Sequence, residues 1–315
     1  MPVNELELRV YGLMRSGNHA IIEWLLSLYL GEKTCFLNNV DHGLCDPFAT
    51  ARKVVISGFE HDTDPQATRL QDKRVLIYSY EDRKQLQKTG TSFLDSVFDA
   101  NFERRREEFL GHSQCARDVL ILRDPFNCLA SRITMIRNRG AQGGMKNLQA
   151  IADNWKALAR RAQQIRDGNA NGEIVILFNT WISSREYRQR IAADLGGHYT
   201  ETSMRSVSTF GGGSSFTPGQ KKRDTAAGKQ GSPSGLLSRQ RLREWYHHAL
   251  ARIAPHRYQA TMLTRRWRVL RGSTAFRQLF RDPEILSLSE ELFGEIPGTR
   301  KFVKDVMSQS ARRPP

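Results

Sequence analysis

The first residues whose types and spacing suggest chemistry lie in the segment GLMRSGNH, from Gly12 to His19. Gly12 and Gly17 have the G-x-x-x-x-G spacing of a loop whose backbone N–H groups surround a phosphate. A nucleotide triphosphatase would continue with Lys and then Ser or Thr, whereas this chain continues with Asn18 and His19. The segment therefore predicts an anion site that lacks the lysine and the magnesium-binding hydroxyl of that class.

The elements on either side of this loop would direct its donors toward one point. An apolar run, LELRVYG, precedes the loop, and a helical pattern begins at Asn18. The backbone N–H groups from Ser16 to His19 would then converge where the positive end of the helix dipole attracts an anion. Arg15 adds a guanidinium that can bind the same oxygen atoms. The structural alternative is a helix-capping turn with an incidental glycine.

A second candidate phosphate site follows the buried run VLIL. Arg123 comes at the carboxyl end of that run, where open α/β sheets bind ligands. Asp124 and Pro125 begin a helix, and Ser131 lies eight residues beyond Arg123, about two helical turns along. Arg123 and Ser131 can therefore converge on one phosphate. An ordinary strand-to-helix junction with Asp124 as the helix N-cap is the alternative.

Composition indicates a folded protein with an anionic partner. The 315 residues are 39% hydrophobic and carry a net charge of +15. This charge suits nucleic acid, an acidic membrane surface, a phosphorylated cofactor or an anionic glycan, and it does not choose among them. The four cysteines lack C-x-x-C spacing, which predicts reduced thiols in a cytoplasmic protein. We expect neither a membrane-spanning helix nor a secretory signal.

Strand and helix patterns alternate along most of the chain. Six apolar runs predict strands: LELRVYG, KTCFLNNV, RKVVISGF, RVLIYSY, DVLILRD and EIVILFN. Several are apolar at nearly every position, which is typical of strands buried on both faces. Helical patterns cover residues 18–30, 126–137, 148–166 and 185–195. We predict an α/β fold in which a central, mostly parallel sheet is flanked by helices, as in P-loop NTPases, with a helical C-terminal extension.

Composition changes after Tyr199. Residues 210–235 are rich in Gly, Ser and Lys, and we assign them as a loop of a nucleotide-binding domain that spans residues 1–235. A solvated linker is the alternative interpretation. Residues 236–315 return to helical periodicity, with a helix start at Asp282 and Pro283 and a stop at Gly294. We expect this helical part to pack on the same domain.

Taken together, the two phosphate segments resemble those of the sulfotransferases that use 3′-phosphoadenosine 5′-phosphosulfate (PAPS). Residues 15–19, RSGNH, resemble that family's 5′-phosphosulfate loop, and Arg123-Asp124-Pro125 with Ser131 resembles its 3′-phosphate motif. The resemblance covers roughly residues 6 to 197. It departs from the family at Asn18 and His19, which replace the usual pair of hydroxyl residues.

The resemblance implies transfer of a sulfuryl group from PAPS to a hydroxyl or amine, without a metal ion. It implies that residues 15–19 bind the 5′-phosphosulfate, with Arg15 and His19 meeting the charge on the leaving phosphate, and that Arg123 and Ser131 bind the 3′-phosphate. The segment FGGGSSFTPGQKKR is the nearest counterpart of the family's C-terminal loop. Its polar residues would lie near the phosphates: Ser214, Ser215, Lys221, Lys222 and Arg223.

An acceptor hydroxyl also needs a general base, which in related enzymes is a His or a Glu near the end of an early strand. Glu81 and Asp82 follow the run RVLIYSY, and Glu60 and His61 follow RKVVISGF. We prefer Glu81, because its strand directly precedes the Arg123 segment in sequence and because charged, helical sequence follows it. A carboxylate that caps the next helix is the alternative role for each acid.

Two other functions fit parts of the sequence. A degenerate P-loop kinase or NTPase would have lost both its phosphate-binding lysine and its metal-binding hydroxyl. A basic nucleic-acid-binding protein is suggested by runs such as FERRREEF, although no RNA-binding aromatic signature or zinc spacing accompanies them. We expect instead an acceptor that is a glycan or a lipid-linked molecule, with Arg265–Arg271 contacting it or the inner surface of a membrane.

Overall fold

The computed structural model describes residues 2–59, 64, 66–82, 92–138, 147–169, 172–201 and 265–311. Several predicted site residues lie outside these ranges: Glu60, His61, Ser214, Ser215, Lys221, Lys222 and Arg223. The predicted loop at 210–235 and the domain boundary that follows it lie outside them as well, and they stay predictions.

The six apolar runs form the six strands of one sheet. Their bounds are β1 Asn4–Gly12, β2 Thr34–Asn38, β3 Lys53–Ser57, β4 Lys73–Glu81, β5 Ser113–Leu122 and β6 Glu173–Leu177. The strands are arranged in the order β3-β2-β4-β1-β5-β6, and every neighbouring pair is parallel except β2 with β3. The predicted α/β fold with a mostly parallel sheet is confirmed. β3 is an antiparallel edge strand and is only partly buried.

Helices cover both faces of this sheet. In chain order they are α1 Asn18–Ser27, α2 Pro47–Thr50, α3 Phe93–Val97, α4 Ala100–Leu110, α5 Pro125–Asn138, α6 Leu148–Arg166, α7 Phe178–Ser183, α8 Arg185–Asp194, α9 Thr274–Leu279, α10 Pro283–Phe293 and α11 Thr299–Ala311. Short 3-10 turns span Ala67–Leu70 and Arg266–Leu270. No helix in the described parts of the chain is long and apolar enough to cross a membrane.

Alternate residues of the strands build two cores, one on each face. Leu8 and Val10 of β1 pack with Ile21 and Trp24 of α1 and with residues of α7 and α8. Tyr11 belongs to the other core, which contains α4, α5, α6 and the helices after residue 265. Because both faces of the central strands are covered, their apolar residues are buried whichever way they point.

The helices after residue 265 pack on α5 and α6. The rings of Phe126 and Phe280 are stacked with their centroids 4.2 Å apart. At the start of α10, the carboxylate of Asp282 accepts a hydrogen bond from the backbone N–H of Glu284, and it also receives the ammonium of Lys156 at 2.8 Å. The predicted helix start at Asp282 is confirmed, and Gly294 ends the helix with a φ of 64°.

The strand order places β1 where the connections of the sheet diverge. From β1 the chain passes to β2, on the β4 side, whereas from β5 it passes to β6, on the opposite side. Open α/β sheets bind ligands at such a switch point, just outside the carboxyl ends of the strands. The carboxyl ends of β1, β4 and β5 border this point, and they carry the loop after Gly12, Glu81 and Arg123.

Candidate phosphate-binding site

The loop after β1 has a backbone that only a few residue types adopt readily. Arg15 and Gly17 both have left-handed conformations, with φ values of 78° and 97°. The buried Ser16 lies between them, and its backbone N–H donates to the carbonyl oxygen of Leu13 at 3.1 Å. Gly17 is the N-cap of α1, so no capping side chain covers the first turn. The amino end of this helix can therefore bind an anion through backbone N–H groups.

Phe178 explains why the chain needs glycine at position 17. A Cβ atom there would lie 2.3 Å from the ring atoms Cδ2 and Cε2 of Phe178, in addition to the strain of the positive φ. The guanidinium of Arg123 lies over the same ring, 4.9 Å from its centroid. Phe178 therefore lies against both Gly17 of the first loop and Arg123. The sequence pattern missed this role because EIVILFN reads as one continuous strand, whereas Phe178 already begins α7.

The two phosphate segments predicted from the sequence are in direct contact. Arg15 Nε donates to Ser131 Oγ at 3.0 Å, and Arg123 Nη1 donates to the carbonyl oxygen of Arg15 at 3.3 Å. Arg123 is buried, and its own carbonyl oxygen accepts from Trp155 Nε1 at 2.9 Å. Residues more than a hundred positions apart in sequence thus form one cationic group at the switch point.

Arg266 joins this group from the far end of the chain. Its 3-10 turn is fixed to α5 because the backbone N–H of Trp267 donates to Asn127 Oδ1 at 3.2 Å. The Trp267 ring is buried against Phe126 and Phe302. Burial, together with the nearby charges of Arg123 and Arg15, lowers the pKa of Arg266 to about 10.

Sequence reasoning gave the run Arg265–Arg271 a surface role and missed the inward position of Arg266. The tryptophan within that run was the available signal, because a buried indole fixes which of its neighbours face the protein. Arg15, Arg123 and Arg266 are hereafter the arginine cluster.

The charges in the arginine cluster disfavour one another. Burial lowers the pKa of Arg15, and the positive charge of Arg123 lowers it further. Burial also lowers the pKa of Arg123. A buried guanidinium loses hydration, and a second cation nearby adds repulsion. A bound anion would remove both penalties, so the cluster has the electrostatics of an anion site.

Asp124 and Asp82 have structural roles at this edge of the sheet. Asp124 Oδ1 accepts from the backbone N–H of Asn127 at 2.9 Å and so caps α5, as the alternative interpretation of the sequence proposed. Asp82 is fully buried, binds both terminal nitrogens of Arg132 at 3.0 and 2.7 Å, and accepts from the backbone N–H of Met14 at 2.8 Å. Asp82 therefore fixes the first loop to β4 and α5.

Glu81 lies beside the first loop, directly across the β1–β4 pair from Gly12. Its Oε1 atom accepts from Asn18 Nδ2 at 3.0 Å, and its carbonyl oxygen is 2.9 Å from His42 Nε2. The sequence argument preferred Glu81 partly because its strand directly precedes the Arg123 segment in sequence, but in the sheet β1 lies between β4 and β5. Chain order and spatial order differ here, and Glu81 still reaches the switch point because β4 is next to β1.

Asn18, His19 and His42 complete the surroundings of Glu81. The Asn18 amide also faces the carbonyl oxygens of Gly12 and Leu13, at 3.4 and 3.1 Å, so its side chain points away from the first turn of α1. His19 is half-buried in that turn, and its predicted contact with the leaving group stays a prediction. Sequence reasoning missed His42, a buried histidine that follows β2; a histidine shortly after an apolar run was its only signal.

The described residues contain no group of three His, Cys, Asp or Glu side chains that could hold a metal ion. No family model and no curated protein matches the sequence. Among solved structures, the chain is similar to the sulfotransferase domain from the Synechococcus PCC 7002 olefin synthase. The two chains are 12% identical, with a TM-score of 0.37 over 64% of this chain and 77% of that one. At this level the similarity carries no argument about activity.

Proposed function

We propose that this protein is a sulfotransferase that moves a sulfuryl group from PAPS to a hydroxyl or amine of an acceptor, which we expect to be a glycan or a lipid-linked molecule. The observation that carries the proposal is the position of the arginine cluster. It meets the amino end of α1 at the switch point of the sheet, beside the carboxylate of Glu81.

The residues at the switch point suit a ligand with two separate anionic groups. Backbone N–H groups at the start of α1 form one set of donors, and the guanidinium groups with the Ser131 hydroxyl form another. PAPS has a 5′-phosphosulfate and a 3′-phosphate, so each set can take one group. The lowered pKa values of Arg15, Arg123 and Arg266 support this fit, because an anion nearby would raise all three.

The residues at the switch point would have separate roles in an in-line displacement at sulfur. PAPS, when bound, supplies a sulfuryl group that is already activated by its bond to phosphate. The acceptor oxygen forms a bond to sulfur while the bond from sulfur to the phosphate oxygen breaks. Backbone N–H groups from Gly17 to His19 stabilise the charge that develops on the leaving phosphate. Glu81 takes the proton of the acceptor hydroxyl, and Asn18 holds one oxygen of that carboxylate in place.

Calorimetry with adenosine 3′,5′-bisphosphate tests the donor site without knowledge of the acceptor. We expect binding in the absence of magnesium, accompanied by a rise in melting temperature. A response to ATP only, and only with magnesium, would contradict the proposal and favour a P-loop kinase. Salt-sensitive binding of random DNA without any nucleotide response would favour a nucleic-acid-binding protein.

Transfer itself is tested by incubating the protein with labelled PAPS and a panel of glycans, lipids and phenols. Once an acceptor is known, Glu81→Gln should retain bisphosphate binding and lower turnover by about 10²-fold or more. Glu107→Gln, which changes an exposed carboxylate of α4, is the matched control and should keep full turnover. Full activity of Glu81→Gln would show that another residue is the base.

A further inference from the structure

We propose that the surface formed by the 3-10 turn at residues 266–270 and by α11 docks on an anionic lipid bilayer. In the described part of the chain, this surface carries six exposed cations and two exposed apolar side chains. These eight residues are hereafter the basic face: Arg265, Arg268, Val269, Arg271, Arg300, Lys301, Lys304 and Met307. The proposal goes beyond the proposed function, because docking on a membrane does not require transfer of a sulfuryl group.

One side of α11 faces the protein, and the opposite side carries cations. Phe302 and Val306 are buried in the core beneath the helix. A helix turns by about 100° per residue, so the positions opposite this pair are 300, 301, 304, 307 and 308. All five are exposed, and three of them are basic. The cations of α11 therefore point away from the protein, together with Met307.

The 3-10 turn lies beside the amino end of α11. The ring centroids of Trp267 and Phe302 are 5.2 Å apart, and this contact fixes the turn to the helix. Arg268 Nη2 donates to the carbonyl oxygen of Pro297 at 3.5 Å. Gly298 leaves room for this guanidinium, because a Cβ atom there would lie 2.5 Å from the same nitrogen. The cations of the turn and those of α11 therefore form one continuous surface.

Few acids offset the charge of the basic face. In the described turn, in α11 and in the loop before it, the exposed acids are Glu295 and Asp305. Glu295 pairs with Arg300 at 2.7 Å, and both side chains are mostly exposed. Each Lys or Arg near an anionic bilayer strengthens binding by about fivefold. Even a few of these cations in contact with headgroups would hold the protein at such a surface.

Two apolar side chains favour a bilayer over a nucleic acid or a sulfated glycan. Val269 is 68% exposed and Met307 is 41% exposed. A phosphate or sulfate chain offers these side chains no apolar contact. At a bilayer, cations contact the headgroups while apolar side chains enter the boundary with the acyl chains. The combination on the basic face therefore matches a lipid surface.

Docking would bring the membrane surface close to the arginine cluster. Arg266 belongs to the same 3-10 turn, but it faces inward, where the charges of Arg123 and Arg15 act on it. The exposed Arg265 and Arg268 lie on either side of it in sequence. A substrate attached to a lipid would thus be held near the switch point of the sheet.

Sedimentation with vesicles tests the proposal. Phosphatidylcholine vesicles with about 30% phosphatidylserine are compared with pure phosphatidylcholine vesicles, at about 0.15 M salt. We expect binding to the anionic vesicles only. Arg268→Gln combined with Lys304→Gln should weaken this binding by about 10- to 30-fold.

The matched control removes the same charge from the other face of the sheet. Arg185 and Arg190 are exposed on α8, which packs on the opposite core from α11. Arg185→Gln combined with Arg190→Gln should bind vesicles like the wild type. Equal weakening by the two double variants would show that only net charge matters, and the proposal would be wrong. Circular dichroism checks that both variants fold.

Val269→Ser distinguishes a bilayer from a free polyanion. This variant should weaken vesicle binding by about 10-fold, the loss of one buried apolar side chain, and leave heparin binding unchanged. Binding of heparin or DNA without binding of anionic vesicles would contradict the proposal and favour a polyanionic partner. Calorimetry with adenosine 3′,5′-bisphosphate keeps the two proposals separate. Vesicle binding without nucleotide binding would contradict the proposed function and support docking.

Discussion

Two groups of buried and half-buried charges lie along β1 and beyond it, and their arginines have different neighbours. Around the middle of the strand, arginines pair with acids from β1, α4 and β5 in a set that we call the β1 network: Glu7, Arg9, Glu103, Arg106 and Asp118. Beyond the carboxyl end of the strand, the arginine cluster brings cations together. Both groups belong to the same sheet, so the comparison separates charges that hold the fold from charges suited to a ligand.

The arginines and carboxylates of the β1 network pair with one another. Arg9 forms two hydrogen bonds with the Asp118 carboxylate, at 2.7 and 2.9 Å, and also pairs with Glu103. Arg106 Nε donates to Glu7 Oε1 at 2.7 Å, and the Tyr78 hydroxyl donates to the same oxygen at 2.9 Å. These bonds connect β1, β4, β5 and α4.

The arginines of the β1 network and of the arginine cluster have pKa values that are shifted in opposite directions. Burial works to lower the pKa of Arg9, but Tyr78 and Asp118 outweigh it and raise the pKa above its ordinary value. The pKa of Arg106 is raised in the same way, with Glu7 among its partners. In the arginine cluster, burial lowers the pKa of all three arginines, and neighbouring cations lower the pKa of Arg15 and Arg266 further. An arginine that is paired with acids, as in the β1 network, stabilises the protein by itself. An arginine in the arginine cluster favours the binding of an external anion.

The largest effect should come from removing Arg9. Arg9→Met leaves the carboxylates of Asp118 and Glu103 without their buried cation, and we expect a loss of about 3–5 kcal/mol in the free energy of unfolding. Urea denaturation measures it. Arg105→Met, which removes an exposed pair with Glu108, should leave the free energy of unfolding unchanged. Equal stability of the two variants would show that the β1 network does not hold the fold.

A second prediction concerns the buried ion pair between Asp82 and Arg132, at the edge of the sheet that carries the candidate site. Asp82→Asn removes the carboxylate that neutralises the buried Arg132, and we expect a loss of about 3 kcal/mol in the free energy of unfolding. The first loop should also loosen, because Met14 donates to the same carboxylate. Hydrogen exchange of the backbone N–H groups at residues 13–17 measures that effect. Unchanged exchange would show that Asp82 does not position the loop.

Removing Arg266 should have the opposite sign from removing Arg9. Burial and the nearby charges of Arg123 and Arg15 lower the pKa of Arg266 to about 10 in the folded protein, so its charge is a cost that is present at neutral pH and disappears as the pH rises above 10. Arg266→Met should therefore raise the free energy of unfolding at pH 7 by about 1 kcal/mol while it weakens bisphosphate binding. Urea denaturation and calorimetry check the two effects, and a clear loss of stability would contradict the comparison.

A similarly small effect is a stabilisation by a simple anion. Sodium sulfate at about five times its dissociation constant should stabilise the wild-type protein by about 1 kcal/mol more than sodium chloride of equal ionic strength. Thermal unfolding measures the difference. Sulfate also stabilises proteins in general, so Arg123→Met is the reference and should retain only that general part. An equal sulfate response in both proteins would argue against an anion site at the arginine cluster.

The sequence was sufficient for the fold and for the proximity of the two candidate phosphate segments. Short runs such as VLIL, with β-branched residues and polar neighbours, are typical of buried strands, and the pattern at 148–166 gives the bounds of α6 without error. The carboxyl ends of parallel strands lie at one edge of a sheet, so the first loop and Arg123 could be expected near each other. These inferences depend on periodicity and on chain direction, which a sequence contains.

Side-chain partners were beyond the reach of those patterns. In LELRV, the alternation of Glu7 and Arg9 with leucines is typical of a strand with one exposed face, yet acids and arginines from other elements bury that face. The position of Arg266 depends on Trp267 docking on α5, and the contact of Phe178 with Gly17 depends on where β6 ends. Each is a tertiary contact between distant segments, which local sequence does not encode.

The contact between Trp267 and Asn127 also determines when, during synthesis, the arginine cluster is completed. During synthesis, β1 and its loop leave the ribosome first, and the strand that carries Arg123 follows. The sheet can therefore assemble on a nascent chain while Arg266 is still untranslated. Because the last arginine of the cluster arrives only with Trp267, a ribosome-bound chain should acquire the nucleotide affinity that we propose late, well after its central strands have paired.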